Sequence, residues 1–179
     1  MSMLTDLYEL TMCASYFENK RNELATFDLF IRKLPPNRSY LVFAGLEQVL
    51  LFLKSMRFNL EQIDYLRKQG FKDDFLNYLN GFRFSGEVWA VPEGTIVFPN
   101  EPLIRVTAPI IEAQLIESFL LNTINVQTMI ATKASRVVNA AQGRAVIEFG
   151  LRRTQGTDAG MKAARCSYIA GCTGTSNVL

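Results

Sequence analysis

The sequence lacks histidine altogether, and it is poor in cysteine and in net charge. None of its 179 residues is histidine, which excludes a His-based triad, a His-ligated metal and a His general base within this chain. Its three cysteines show no CxxC spacing, as is typical of a reduced, cytoplasmic protein with structural thiols. The formal net charge is only +2, so composition gives no argument for nucleic acid or an anionic membrane as a partner.

Long hydrophobic runs are missing as well. The longest mainly apolar stretch, PIIEAQLIESFLLNTINVQTMIATKA, is interrupted by Glu112, Gln114, Glu117 and Asn122, which makes it too polar to span a bilayer. The first residues, MSMLTDLYEL, lack the basic start and apolar core of a signal peptide. Hydrophobic residues make up 49% and charged residues 20%, which is ordinary for a globular protein with a sizeable core.

The first 109 residues predict a mixture of helices and short strands. TDLYELTMCASYFENK has helical spacing, with Thr5 as a candidate cap, and ATFDLFIRKL alternates like a strand. Three further helices are expected in AGLEQVLLFLKSM, in NLEQIDYLRKQ with Asn59 as its cap, and in DDFLNYLNGF. GEVWAVPEGTIVFPNEPLIRVTAP holds three β-rich runs separated by turn residues, and predicts a small antiparallel sheet.

The remaining residues predict an α/β arrangement. Residues 110–142 have helical periodicity, as two helices or one kinked helix. RAVIEF is then a short strand, DAGMKAARCSYIAG a helix with Asp158 near its start and Gly171 near its end, and CTGTSNVL a strand or loop. We therefore expect an α+β domain over residues 1–115 and the beginning of an α/β barrel over 116–179. Two strands cannot close a barrel, so we expect the barrel to be incomplete in this chain.

The stretch EFGLRRTQGTDAG, residues 148–160, is the candidate site. In α/β sheets and barrels the chemistry lies at the carboxyl ends of the strands, where Arg152 and Arg153 follow RAVIE. Arginine presents a planar fork of donors that suits carboxylate or phosphate, and Phe149 offers a ring face. Together they would suit a flat, anionic, aromatic ligand. A core phenylalanine with two solvated arginines is the alternative that these residues leave open.

Five stretches together resemble one enzyme family, nicotinate phosphoribosyltransferase. They are LTDLYELTM at 4–12, FDLFIRKLPPNRSYLVFAGLEQVL at 27–50, VWAVPEGTIVFPNEPLIRV at 88–106, NVQTMIATKA at 125–134 and EFGLRRTQGTDAG at 148–160. The resemblance covers less than half of such an enzyme. It implies a type II phosphoribosyltransferase fold, whose irregular α/β barrel continues beyond the matching part. The catalytic histidine of the family belongs to that further part.

The resemblance also assigns residues to the substrate. The pyridine ring would lie between Phe149 and Tyr8, with Tyr8 supplied by the partner subunit of a homodimer. Arg152, as a catalytic residue, would bind the nicotinate carboxylate or the pyrophosphate of the donor. Thr175 and Ser176 would contact the substrate. The nicotinamide enzyme has aspartate at the position of Ser176, where it would repel nicotinate, whereas serine can donate to a carboxylate.

Four more charged residues are implied at the phosphoribosyl donor. Asp6, the second residue assigned to catalysis, is similar to an aspartate near the donor and its Mg²⁺. Arg32, Lys133 and Arg153 resemble cations near the donor's phosphates. Each also has a simpler interpretation, because Asp6 could be a helix first-turn charge and isolated cations are mostly solvated.

The implied reaction is the synthesis of nicotinate mononucleotide for NAD salvage. Nicotinate and phosphoribosyl pyrophosphate would react with release of pyrophosphate, accompanied by ATP hydrolysis, with Mg²⁺ bound to the phosphate co-substrates and no tightly bound organic cofactor. Two alternatives remain. One is a nicotinamide or quinolinate phosphoribosyltransferase, and the other is a catalytically inactive N-terminal fragment that only binds ligand or assembles.

Overall fold

The computed structural model describes residues 1–178. Their helices and strands, in chain order, are α1 Leu7–Glu18, β1 Leu24–Phe30, β2 Leu41–Val42, α2 Leu46–Ser55, α3 Leu60–Lys68, α4 Asp73–Asn80, β3 Glu87–Ala90, β4 Ile96–Val97, β5 Pro102–Pro109, α5 Ile110–Leu115, α6 Glu117–Ala140, β6 Ile147–Glu148, α7 Thr157–Ile169 and β7 Gly174–Thr175. A 3₁₀ helix, Leu151–Arg153, lies between β6 and α7. We call it the arginine turn. Among these helices, none has the length and apolar content that a bilayer crossing requires.

The chain divides into two compact units, each made of separate segments. The first unit comprises Met1–Asp28, Glu47–Trp89 and Ile104–Leu121. The second unit comprises Leu29–Leu46, Ala90–Leu103 and the residues from Asn122 onward. The division into domains 1–115 and 116–179 stays a prediction.

The first unit is mainly helical. Phe75, Leu76 and Leu79 of α4 are buried in its core, and the rings of Phe52 and Phe119 stack with centroids 3.7 Å apart. Burial of large apolar side chains such as these is the dominant favourable contribution to folding.

The helix caps of the first unit agree with the sequence at α3 and differ at α1. The Asn59 side chain accepts a hydrogen bond from the Gln62 N–H at 2.9 Å, and Gln62 Oε1 accepts one from the Asn59 N–H at 2.9 Å. This capping box confirms the predicted start of α3. Thr5 as the cap of α1 was wrong, because the helix begins after Asp6 and the Thr5 hydroxyl donates to the Glu9 carboxylate instead.

The three β-rich runs do not share one sheet. Strands β1, β5 and β3 form a three-stranded sheet in that order, whereas β4 pairs antiparallel with β2. Sequence reasoning missed β2 because two residues show no alternation. Helix α6 supports this strand, since Thr132 Oγ1 accepts the Val42 N–H at 2.9 Å and Thr128 Oγ1 accepts the Ala44 N–H at 3.2 Å.

The predicted strand–helix–strand unit is confirmed. Strands β6 and β7 are parallel, with Ile147 opposite Gly174 and Glu148 opposite Thr175, and α7 connects them. Helix α7 ends at the predicted glycine, because Gly171 has φ +101° and its N–H donates to the Tyr168 carbonyl at 3.0 Å. Residues 110–142 form two helices, α5 and α6.

An ion pair centred on Glu93 stabilises the second unit. The Glu93 side chain is only 17% exposed, and Arg165 donates to both of its oxygens at 3.0 and 2.7 Å. The backbone N–H groups of Gly45 and Leu46 donate to Oε1 at 2.5 and 3.2 Å. Partial burial acts to raise the pKa of Glu93, but the hydrogen bonds from Arg165 and Gly45 outweigh it, so the pKa is lowered.

We expect Glu93→Gln to lower the free energy of unfolding by roughly 1–3 kcal/mol at pH 7, because it removes charge-assisted hydrogen bonds. Since the folded pKa lies below the unfolded value of about 4.3, this stabilisation is complete above that pH and is lost as the pH falls through the folded pKa. Urea unfolding between pH 7 and pH 3.5 measures it, with exposed Glu87→Gln as the control. A wild-type advantage that does not shrink at low pH would contradict the prediction.

Candidate ligand site at the carboxyl ends of the parallel strands

The site begins where β6 and β7 end side by side. Phe149 follows β6 directly, and Ser176 follows β7. The Ser176 N–H donates to the Glu148 carbonyl at 2.9 Å, which holds the two strand ends together. Because the strands are parallel, the segments that follow them leave at the same edge, where ligands bind in α/β folds.

Phe149 is an exposed aromatic residue. Its side chain is 71% exposed, so it belongs to no core formed by the described residues. An exposed ring beside a strand end leaves apolar surface in water, which a planar ligand would cover favourably.

The arginine turn carries two cations three and four residues after Phe149. The Arg153 N–H donates to the Gly150 carbonyl at 2.7 Å, and the Thr154 hydroxyl donates to the Leu151 carbonyl at 2.9 Å. Both arginine side chains are exposed, and no ion pair within residues 1–178 includes Arg152 or Arg153. Their charge therefore remains available to an anion, although a solvated surface arginine would show the same exposure.

Side chains of Leu151 and Thr154 pack the arginine turn closely against Gly160 of α7. A Cβ atom on Gly160 would lie 2.6 Å from Leu151 Cδ1 and 3.2 Å from Thr154 Oγ1. The shorter distance lies inside van der Waals contact, so a side chain at position 160 would require the end of the Leu151 side chain to move. This contact gives a structural reason for Gly160, the second glycine of TQGTDAG.

Glu148 is a residue of the site that sequence reasoning missed. Its Oε1 accepts the Gly150 N–H at 2.5 Å, and its Oε2 accepts the Thr175 hydroxyl at 2.7 Å. A Cβ on Gly150 would lie 2.8 Å from Glu148 Oε1, so glycine lets the carboxylate stay this close to the backbone. A glutamate at the end of an apolar strand and two residues before a glycine was the available signal.

The hydroxyls of Thr175, the last residue of β7, and Ser176, which follows it, differ in what they contact. Thr175 donates to Glu148, and its oxygen also accepts the Asn177 N–H at 3.2 Å. The Ser176 hydroxyl is exposed and makes no hydrogen bond with any residue in 1–178. Of the two predicted substrate contacts, Ser176 is therefore the one with an uncommitted proton.

Two predicted donor-binding residues lie elsewhere in the second unit. Arg32 follows β1 and Lys133 lies on α6, and both side chains are exposed. Within the part of the chain that the structure describes, no hydrogen bond or ion pair joins either of them to the arginine turn.

Asp6 and Tyr8 belong to the first unit. Asp6 immediately precedes α1, and its carboxylate accepts the Ser118 hydroxyl at 3.0 Å. Tyr8 is 53% exposed on α1. The negative charge of Glu117, with some desolvation, raises the pKa of Tyr8, so its phenol is neutral at pH 7.

Metal-binding side chains are not clustered in the described residues. Within 1–178, no group of three Asp, Glu, Cys or His side chains is arranged so that it could hold a metal ion.

Comparison with known proteins shows similarity along the whole chain. The model of the nicotinate phosphoribosyltransferase (NAPRTase) N-terminal domain matches residues 3–125. The chain is 54% identical over 179 residues to a nicotinate phosphoribosyltransferase of Mycobacterium tuberculosis, covering 99% of this chain and 39% of that protein. The chain therefore spans well under half the length of this relative.

Two solved structures give the same result for the fold. The crystal structure of human nicotinic acid phosphoribosyltransferase matches with a TM-score of 0.91 and 34% identity, covering 98% of this chain and 36% of the human one. A nicotinate-nucleotide pyrophosphorylase from Pyrococcus furiosus matches with a TM-score of 0.78 and 26% identity, covering 99% of this chain and 38% of the other. The predicted fold class, an α+β region followed by the start of a type II phosphoribosyltransferase barrel, is confirmed.

Proposed function

Because the chain belongs to the nicotinate phosphoribosyltransferase family, we propose that it carries part of an active site that converts nicotinate to nicotinate mononucleotide in NAD salvage. The co-substrates are phosphoribosyl pyrophosphate and ATP, and pyrophosphate is released. One observation supports this most strongly. Two parallel strands end next to an exposed ring, Phe149, and a hydroxyl, Ser176, and Arg152 follows Phe149 by three residues; within residues 1–178, Arg152 makes no ion pair and the Ser176 hydroxyl no hydrogen bond. Since the chain spans only 39% of the mycobacterial relative, the activity is proposed for the protein that contains it.

The proposed substrate complex follows from the chemistry of these three groups. The pyridine ring of nicotinate stacks on Phe149, which adds roughly 0.5–1.5 kcal/mol beyond burial. The Ser176 hydroxyl donates to the carboxylate, and the fork of Arg152 binds the carboxylate or the departing pyrophosphate. Tyr8 of the partner subunit covers the other face of the ring.

Ribosyl transfer needs no covalent nucleophile on the protein. The lone pair of the pyridine nitrogen forms the bond to C1 while the bond from C1 to the pyrophosphate oxygen breaks, and pyrophosphate leaves with that electron pair. The transition state resembles an oxocarbenium ion, so the protein contributes by fixing the ring and by neutralising the leaving group. Arg152 is the cation proposed to neutralise the leaving pyrophosphate. Arg153, Arg32 and Lys133 are proposed to bind the donor's phosphates.

Magnesium is proposed to enter with the phosphate co-substrates. Mg²⁺ is commonly bound by one or two carboxylates together with substrate phosphates. The residues in 1–178 do not form a metal cage of their own, and Asp6 is the single carboxylate proposed to lie near the ion. We propose no tightly bound organic cofactor.

The rival functions make different demands on the site. A nicotinamide enzyme would be favoured by aspartate at position 176, where this chain has serine. Quinolinate carries two carboxylates and would require a denser group of cations than Arg152 and Arg153. The remaining alternative is an inactive fragment that only binds ligand or assembles.

Calorimetry and an assay for pyrophosphate distinguish the enzyme from the inactive fragment. Nicotinate binding and pyrophosphate release are measured on the 179-residue chain and on the protein as its gene encodes it. Turnover by the encoded protein supports the proposal, and nicotinate binding without any turnover supports the fragment. If nicotinate neither binds nor is turned over, both the enzyme and the ligand-binding fragment are contradicted.

A cytoplasmic location is also proposed, since Cys13, Cys166 and Cys172 are buried and unpaired.

A shared site predicts complementation between two inactive variants. If Tyr8 acts across a two-fold axis, a dimer of one Tyr8→Ala and one Arg152→Ala subunit contains one intact site and one doubly defective site. Random reassortment should then restore about a quarter of wild-type activity. The encoded protein is co-expressed in both variant forms, and activity per dimer is measured. As the control, Tyr65→Ala replaces another tyrosine that is 53% exposed, and alone it should remain active. No recovery in the mixture would count against a shared site.

A further inference from the structure

One carboxylate connects the two strand ends that carry the proposed substrate contacts. Glu148 Oε1 accepts the N–H of Gly150, the residue after Phe149, at 2.5 Å. Its Oε2 accepts the hydroxyl of Thr175, the residue before Ser176, at 2.7 Å. Phe149 and Ser176 are therefore each one residue from a group that Glu148 holds.

The hydrogen bond to Glu148 also determines whether the Thr175 hydroxyl can donate to a ligand. A hydroxyl has one proton, and that of Thr175 is donated to Glu148 while its oxygen accepts the Asn177 N–H at 3.2 Å. Thr175 therefore has no proton to donate to a ligand carboxylate. Ser176, the next residue, makes no side-chain hydrogen bond within residues 1–178 and keeps its proton for a ligand.

We infer that Glu148 is a positioning residue for the nicotinate site, acting through Gly150 and Thr175, and that Ser176 is the one hydroxyl of the pair that binds the substrate carboxylate. This inference rests on the proposed function. It reassigns Thr175 from substrate contact to a partner of Glu148. A glutamate suits this role because both oxygens of a carboxylate accept hydrogen bonds, so one side chain can hold both segments.

Gly150 gives a second way to disturb the same contact. A Cβ at position 150 would lie 2.8 Å from Glu148 Oε1, so Gly150→Ala must displace the carboxylate. Its backbone has φ −100°, which alanine adopts without strain. Gly150→Ala should consequently act in the same direction as Glu148→Ala, with a smaller effect because the end of the Glu148 side chain can shift.

Steady-state kinetics on the encoded protein test the inference. We expect Glu148→Ala to raise KM for nicotinate by roughly ten- to a hundredfold, because charge-assisted hydrogen bonds that order the site are lost. KM for phosphoribosyl pyrophosphate should change by less than about threefold. A role confined to stability would instead lower Tm and the active fraction without separating the two KM values. If Glu148→Ala does not fold, Gly150→Ala takes its place.

A double-mutant cycle tests the role of Thr175. Thr175→Val should raise KM for nicotinate, Thr175→Ser should restore it, and Thr175→Val combined with Glu148→Ala should be no more than about twofold worse than Glu148→Ala alone. Multiplied effects, or equal effects on both KM values, would overturn the inference. The wild-type assay distinguishes failure of the proposed function from failure of the inference about Glu148. If wild type forms no nicotinate mononucleotide, the proposed function fails and this inference with it, whereas an active wild type with insensitive variants overturns the inference alone.

Discussion

Arg152→Ala is expected to lower kcat/KM for nicotinate by roughly a hundredfold or more, because removing a donor aimed at developing or bound negative charge typically costs that much. The protein should remain folded, since the Arg152 side chain is exposed and belongs to no ion pair in the described residues. Steady-state kinetics and thermal unfolding of the encoded protein measure the two quantities separately.

Two further variants make the Arg152 result specific. Arg144→Ala removes another exposed arginine of the second unit and should leave activity unchanged. Arg152→Lys keeps the charge but loses the planar fork, so it should restore only part of the rate. Arg152→Ala with activity within about twofold of wild type would make Arg152 an ordinary solvated arginine.

Ser176→Asp is expected to shift preference from nicotinate towards nicotinamide. Two carboxylates would then face each other, and like charges about 4 Å apart cost roughly 4 kcal/mol at an effective dielectric near 20, unless one takes up a proton. Even half of that cost is more than a tenfold loss of affinity. The aspartate would at the same time accept a hydrogen bond from the amide of nicotinamide.

Ser176→Asn is the matched control for this charge effect. Asparagine has nearly the same size as aspartate but no charge, so it should lose much less nicotinate activity. The measurement is kcat/KM for both substrates in wild type and in the two variants. A ratio between the substrates that is the same in Ser176→Asp as in wild type would show that position 176 does not select the acid.

The fold was predictable wherever local signals agreed with tertiary structure. The capping pair at Asn59 and Gln62, and the glycine after α7, act within one turn of a helix, so the sequence alone shows them. Strand β2 was not predictable, because its two residues are held by pairing with β4 and by threonines of α6. Such contacts join residues far apart in sequence.

In the candidate site, too, residues in local sequence patterns were predictable and residues whose roles depend on distant contacts were not. Phe149 and Arg152 were found from the stretch at 148–160 and Ser176 from the family resemblance, and the structure places Phe149 and Ser176 directly after two adjacent parallel strands. Glu148 was missed because its role depends on Thr175, 27 residues away in sequence, which only the parallel pairing brings close. The roles of Asp6, Tyr8, Arg32 and Lys133 stay predictions, since they depend on ligands or on a partner subunit.

The most direct measurement is the identity of the product. The encoded protein is incubated with nicotinate, phosphoribosyl pyrophosphate, ATP and Mg²⁺, and the nucleotides formed are identified by liquid chromatography and mass spectrometry, with nicotinamide and quinolinate offered in parallel. We expect nicotinate mononucleotide in amounts matching the pyrophosphate released, and far less product from the other two substrates. No nucleotide from nicotinate, or faster formation of product from nicotinamide or quinolinate, would contradict the proposed function.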